Sequence, residues 1–269
     1  MTHMIYVVPS LKAKEKLQSE GKAWAESQGF TYVPRGKRTI QDLMDEYGED
    51  FLVYSSRGPQ IDRPEGSHFF SLNMAELRIR NLRKGQRDHL LEALMGRGSS
   101  KPPITVLDCT CGFGADAAVA SFGLPAGSRV DALEVSPLLE AVTSWGFSHF
   151  VHKKDDVTAA LRRISLRRGD YRDYLLSDEG PVYDVLYFDP MFQRPVEASC
   201  QFQPVRAIME HGGLTRDLIE RALQKARRRV VIKERDFRQL CRDFPEVTLY
   251  GGKYSRIGYA VLECDSWKK

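Results

Sequence analysis

Ile104-Thr105-Val106-Leu107-Asp108-Cys109-Thr110-Cys111-Gly112-Phe113-Gly114-Ala115-Asp116 is the stretch that decides how the chain is read. A short apolar run, a carboxylate, a glycine loop and an alanine-rich continuation predict a strand, a tight loop and a helix from Asp116 to Phe122. Gly112 and Gly114 can adopt positive φ and carry no Cβ to keep a ligand off the backbone. The N–H groups that open the following helix face the ligand's polar end. Asp108, just ahead of the loop, puts a carboxylate where a ligand's ammonium could be held. Glu134 lies twenty residues beyond Gly114, at the end of the next predicted strand, Val130–Leu133. A carboxylate there can accept both hydroxyls of a ribose.

Gly112 to Ala117 also fits G-x-G-x-x-A, so an NAD-binding oxidoreductase is the rival reading. Two features tilt the choice towards S-adenosyl-L-methionine. Asp108 suits an ammonium, which a loop built for pyrophosphate does not need. The chain also ends in two runs, Val247–Tyr250 and Ile257–Leu262, expected to pair antiparallel as methyltransferase domains do. Asp170, in Arg168-Gly169-Asp170-Tyr171 after the predicted strand Ile164–Arg167, could accept a bond from an adenine amino group, with Tyr171 beside it.

A second acid follows the apolar run Val182–Phe188, in Asp189-Pro190-Met191-Phe192. An exocyclic base amine is a poor nucleophile because its lone pair is delocalised into the ring. Asp189 and the Pro190 carbonyl can accept its two N–H bonds, aiming the lone pair and stabilising the developing positive charge. Pro190 fixes the corner, and Phe192 offers a face on which a base can stack. Asp189, Pro190 and Phe192 are therefore the candidate catalytic residues.

Around these motifs strand and helix patterns alternate, which makes the class α/β. Helices are expected at 11–28 and 40–47 with strands at 30–33 and 51–54, a small N-terminal α/β unit. Residues 71–95 look helical with a break at Gly85, and the loop composition of 96–103 sets the expected boundary: a small domain over 1–100 and a larger one over 101–269. Helices at 137–150 and 214–228 and a strand at 230–232 complete the second pattern. Its strands, apolar on both faces, suit a parallel sheet.

The chain has 269 residues and a net charge of +4, with basic clusters at Arg78, Arg80, Arg83, Lys84, Arg87 and Arg97, at Arg162–Arg168 and at Arg227–Arg229. Such clusters favour a polyanion, although any one of them can simply solvate a helix face. No apolar run reaches the roughly 18 residues of a membrane span. Five cysteines without framework spacing imply reduced thiols and a cytoplasmic protein. Cys109 and Cys111, one residue apart with no histidine nearby, make a poor zinc site, so no metal is expected.

The motifs Asp108-x-Thr110-x-Gly112-x-Gly114-x-Asp116-Ala117, Leu133-Glu134-x-Ser136-Pro137 and Asp189-Pro190-Met191-Phe192 resemble those of the RsmJ/YhiQ-type methyltransferases of guanine N2 in small-subunit ribosomal RNA, in particular a Gram-positive branch. The resemblance covers about 104–235; the first hundred residues match loosely, around Phe69-Phe70 and Ala75-x-x-Arg78. It implies a class I methyltransferase: a Rossmann-like, doubly wound, seven-stranded sheet behind a small α/β domain. It also implies ribosomal RNA or an assembling small subunit as partner, and cofactor contacts from Ala115, Asp116, Glu134, Val135, Asp170 and Asp189. Ala115 and Val135 both stand where that family usually has arginine, and Gln193-Arg194-Pro195 departs from its usual run. Adenine N6, a protein glutamine, or cofactor binding without catalysis are the other functions the residues allow. An intact Asp189 and Phe192 argue against the last.

Overall fold

β1 (Tyr6–Pro9) organises the first part of the chain, with β2 (Thr31–Tyr32) parallel on one side and β3 (Phe51–Ser55) parallel on the other. The structure is a computed structural model and describes residues 4–96, 101–190, 213–251 and 257–267. Helices α1 (Glu15–Ser27) and α2 (Ile40–Tyr47) make the two crossovers. Thr39 and Asp42 close a capping box that starts α2. Val8, Leu43, Phe51 and Val53 form a core there.

β4 (Gly58–Arg63) and β5 (Gly66–Phe69) extend this sheet antiparallel through two-residue turns, giving the order β2-β1-β3-β4-β5. The hairpin was not expected, because β4 is buried along its length yet carries Gln60, Asp62 and Arg63. Their polar groups are satisfied locally: Gln60 donates to both oxygens of Asp62 at 2.8 and 2.9 Å, and Ser55 donates to Gln60 at 2.9 Å. Helix Pro137–His149 groups with this unit. Phe70 packs edge-on against Phe147, at 5.6 Å between ring centroids, and Trp145 lies directly under Gly58.

The second unit begins at Leu72 rather than near residue 100. Its first helices are α3 (Asn73–Arg83) and α4 (His89–Met95), separated at Gly85, whose φ of 75° makes the expected break. Leu82 and Leu91 pack against Gly123 of α5 (Ala115–Gly123), which is why both helices belong here and not to the N-terminal unit.

Seven strands follow: β6 (Thr105–Asp108), β7 (Arg129–Glu134), β8 (Ile164–Arg168), β9 (Val185–Phe188), β10 (Arg229–Glu234), β11 (Thr248–Gly251) and β12 (Gly258–Glu263). Their order is β11-β12-β10-β9-β6-β7-β8, with β12 antiparallel to both neighbours and the other described pairings parallel. This is the seven-stranded, doubly wound sheet with an antiparallel final pair that the sequence predicts. Helix Pro137–His149 is α6, and α7 (Asp155–Arg162), α8 (Tyr171–Leu176), α9 (Arg216–Lys225), α10 (Arg238–Asp243) and α11 (Cys264–Trp267) complete the described helices. Leu107, Leu186, Phe188 and Val230 are completely buried, as strands covered on both faces must be. The chain runs from β6 outwards through β7 and β8, then returns to β9 on the other side of β6. Ligands in such sheets bind outside the carboxyl ends of the strands at that reversal.

Gly146 tests the packing within the first unit. An alanine there would gain helix propensity, but its Cβ would fall 1.9 Å from the Phe70 ring. Gly146→Ala is therefore expected to destabilise the protein by about 1–3 kcal/mol in denaturant titration. A stabilised variant would contradict this packing.

Candidate active site

The carboxyl end of β6 passes directly into the glycine loop. Asp108 is 2 % exposed, and its carboxylate accepts the Thr110 N–H at 3.1 Å. Burial pushes this carboxyl well above its usual range, so a cationic partner would recover much of what desolvation costs it. The loop is pinned to the neighbouring strands by main-chain bonds, from Cys109 N–H to the Tyr187 carbonyl at 2.8 Å and from Cys111 N–H to the Leu133 carbonyl at 2.9 Å. Gly112 and Gly114 take φ of 54° and 75°. A Cβ on Gly112 would meet only the Thr110 carbonyl oxygen, in ordinary van der Waals contact at 3.9 Å, so it is the positive φ and not crowding that calls for glycine here. Glu134, at the end of β7, accepts the Gly112 N–H at 2.8 Å.

Beyond β9 the loop meets the Asp-Pro corner. The Asp189 N–H donates to the Thr110 hydroxyl at 2.7 Å, so Thr110 ties the two motifs together through its side chain. Met191 and Phe192 lie outside the described residues, and with them the expected stacking face.

A buried network of charges links the corner to α5. Asp116, in the first turn of α5, receives Arg78 from α3, the Tyr187 hydroxyl at 2.8 Å and Lys233 from β10 at 2.8 Å. Arg78 also grips Asp88 with two bonds, at 2.7 and 2.8 Å. The Lys233 ammonium reaches on to Asp189 at 2.7 Å. Burial alone would raise the Asp116 carboxyl, but Lys233 and Arg78 outweigh it and hold the group below the usual carboxylate range. Burial likewise works against the charge on Lys233, and the two carboxylates more than reverse it. The Asp189 carboxyl sits above its ordinary value, chiefly through burial, with Lys233 opposing the shift and Asp116 adding to it.

The remaining predicted residues fall into different settings. Ala115 opens α5 beside the loop, and Val135 is an exposed apolar side chain just past Glu134. Asp170 caps α8 through the Arg172 N–H at 2.8 Å and pairs with the Arg172 guanidinium. Tyr171 is buried with its ring edge-on to Phe188 at 5.4 Å, which makes it part of the core under the site. Lys233 is the residue that sequence reasoning missed. The available signal was a charged residue directly after the apolar run Val230–Ile232, near the carboxyl end of its strand as Asp108 and Glu134 are of theirs.

Arg78 is withdrawn from the basic cluster around α3, and two of its other members are in surface ion pairs. Arg78 is committed to Asp88 and Asp116, while Arg83 and Arg87 are exposed but paired with Asp156 and Glu92, Arg80 and Lys84 are exposed, and Arg97 lies outside the described residues. Among the described residues, no group of His, Cys, Asp and Glu could hold a metal ion, and no helix is long and apolar enough to cross a membrane.

These features agree with what the chain resembles. A family described as "Putative SAM-dependent methyltransferase" matches residues 65–257. The Uncharacterized protein YpiP of Bacillus subtilis is 29% identical over 85% of this chain and 88% of its own length. The Ribosomal RNA small subunit methyltransferase J of Thioalkalivibrio sulfidiphilus is 31% identical over 82% of this chain and 84% of its own. A solved SAM-dependent methyltransferase of Neisseria gonorrhoeae shares the fold, with a TM-score of 0.61 at 19% identity over 96% of this chain and 95% of that one. The chain belongs to this family of S-adenosylmethionine-dependent methyltransferases. Its cofactor is S-adenosylmethionine, and the dinucleotide reading of the glycine loop is set aside. The buried carboxylate of Asp108 beside the glycine loop fits a ligand with an ammonium end.

Asp116 gives a direct test of the buried network. Because its carboxyl is depressed in the folded protein, its contribution to stability is present above the unfolded value, near pH 4, and is lost as pH falls through the folded one. Asp116→Asn leaves Arg78 and Lys233 short of a counter-charge and is expected to cost about 3–5 kcal/mol at neutral pH. The variant should also lose part of the wild type's fall in stability on acidification. Denaturant titrations from neutral to acid pH check both, and a variant as stable as wild type would remove the network from the account.

Proposed function

We propose that this methyltransferase acts on the exocyclic N2 amine of a guanine in small-subunit ribosomal RNA. The observation that carries the proposal is the Asp189-Pro190 corner at the end of β9, its backbone tethered by Thr110 and its carboxylate held by Lys233. The kinship with Ribosomal RNA small subunit methyltransferase J supports the choice of polymer. Such a substrate also implies a protein that works in the cytoplasm.

Asp108 would hold the cofactor's ammonium and Glu134 its ribose hydroxyls, with Gly112, Gly114 and Ala115 lining its approach along the backbone. Thr110 and Asp116 would serve the pocket through the loop they brace, and Val135, Asp170 and Tyr171 would bound its nucleoside side. When bound, S-adenosylmethionine supplies an electrophilic methyl group on its sulfonium. Asp189 and the Pro190 carbonyl would accept the two N–H bonds of the amine, pointing its lone pair towards that methyl group. Asp189 would then stabilise the charge developing on nitrogen and take up the proton the nitrogen sheds. Phe192 is proposed to stack on the base. Because the guanine must leave its neighbours to reach Asp189, single-stranded loops or an assembling particle suit the site better than a rigid duplex.

The test is methyl transfer from labelled S-adenosylmethionine to ribosomal RNA or small subunits from a strain lacking the gene, followed by nucleoside analysis. Label in N2-methylguanosine is the expected result. Label in N6-methyladenosine would keep the amine chemistry and overturn the base, and label in protein would overturn the RNA substrate. Asp189→Ala should lower turnover about 100-fold or more, since it removes a bond that strengthens as charge develops. Glu134→Ala should instead weaken cofactor binding by roughly 1.5–3 kcal/mol in calorimetric titration. Glu134→Gln, which retains an acceptor for the Gly112 N–H, separates the ribose contact from bracing of the loop.

A further inference from the structure

The ion pairs of Lys233 are not explained by cofactor binding or by the sheet. A lysine at the end of a parallel strand ordinarily turns to water, yet this side chain is 13 % exposed and bridges two carboxylates from different elements. Its ammonium lies 2.8 Å from Oδ2 of Asp116 on α5 and 2.7 Å from Oδ2 of Asp189 after β9. Asp116 is already held by Arg78 and by the Tyr187 hydroxyl, so the anchor at one end of the bridge is rigid. The other end is the carboxylate assigned to the substrate amine.

We propose that Lys233 is a positioning residue for methyl transfer: by binding Oδ2 of Asp189 against the fixed Asp116, it leaves Oδ1 turned to the substrate amine. The inference rests on the role given to Asp189 above. Of the two carboxylate oxygens, Oδ2 is the one that Lys233 binds. The charges around the bridge favour the same role. Arg78 and Lys233 are two cations among three carboxylates, Asp88, Asp116 and Asp189, which leaves one net negative charge beside an amine that becomes positive as it reacts. Other titratable groups bear on the bridge. Asp108 on β6, Tyr187 on β9 and Tyr259 on β12 are all pushed towards their neutral forms, chiefly by burial, while Glu234 beside Lys233 adds negative charge near Asp189. Lys233 is thus the cation that favours the charged form of Asp189 against its burial.

Full-length wild type, Lys233→Met, Lys233→Arg, Asp189→Ala and the Lys233→Met/Asp189→Ala double variant are compared in steady state on the same small-subunit substrate, with S-adenosylmethionine affinity measured by calorimetry. Lys233→Met should lower kcat about 100-fold with cofactor affinity unchanged. The acid limb of its kcat profile should move up by about one pH unit or more, because Asp189 loses the cation that favours its charged form. Lys233→Arg should recover about tenfold or more of the lost rate, since it keeps the charge. In the Asp189→Ala background the same change should have almost no further effect, within about twofold, because Lys233 acts through Asp189. A double variant slower by the product of the two single effects would overturn the proposal, as would loss of cofactor affinity in parallel with kcat or an unmoved pH profile. Should Lys233→Met not fold, Lys233→Gln, which keeps donors for both carboxylates, takes its place under the same criteria. The two readings fail separately: normal turnover in Asp189→Ala removes the role of Asp189 itself, while an inactive Asp189→Ala beside a normal Lys233→Met removes only the role of Lys233.

Discussion

Asp116 is a carboxylate taken almost entirely out of water, and the second unit is arranged so that it is never without positive charge. An unpaired ion at that depth would cost several kcal/mol, so its partners must arrive together with the fold. They come from three elements distant in sequence: Arg78 on α3, Tyr187 on β9 and Lys233 on β10. This requirement draws α3 onto α5 and orients the ends of two central strands. It also explains why the second unit starts at Leu72, since without α3 the carboxylate loses one of its two cations.

The sheet converts that constraint into a site. Because β6 sits where the chain reverses direction across the sheet, the carboxyl ends of β6, β7, β9 and β10 open towards one region, and each ends on or beside a charged residue. Asp108 and Glu134 flank the glycine loop, while Asp189 and Lys233 flank the Asp-Pro corner. Thr110 joins the halves with one hydroxyl. The glycine loop, proposed to hold the cofactor, and Asp189, proposed to bind the amine, can therefore hold a fixed relation without a covalent link. Preorganisation of this kind is what a reaction needs when most of its acceleration comes from orientation and from charge fixed in advance.

Much of this was legible in the sequence, for a physical reason. Val106 with Leu107, and residues 185–188 and 230–232, are apolar on both faces, and Gly112 and Gly114 mark backbone that side chains would obstruct, so local composition alone announces strands and loop. The antiparallel pair β11 and β12 was readable in the same way. The N-terminal hairpin was not, because β4 satisfies Gln60 and Asp62 with each other, a pairing that no periodicity records. Loop composition after Met95 says nothing about the partner of Arg78, so it does not reveal the compact unit that starts at Leu72. Lys233 and the commitments of Arg83 and Arg87 were hidden for the same cause: an ion pair between residues 116 and 233, or 83 and 156, is a property of topology. Single charges in a sequence show their chemistry but not their partners.

A crystal structure of the protein with S-adenosylhomocysteine measures the central claim, that the β6 and β7 acids face the cofactor while Lys233 holds Asp189 for the substrate. The account predicts the ligand's ammonium within hydrogen-bonding reach of Asp108 and its ribose hydroxyls on Glu134, at about 2.6–3.2 Å, with Lys233 still bridging Asp116 and Asp189. A ligand bound away from the glycine loop, or Lys233 turned from Asp189 to contact the ligand itself, would contradict it.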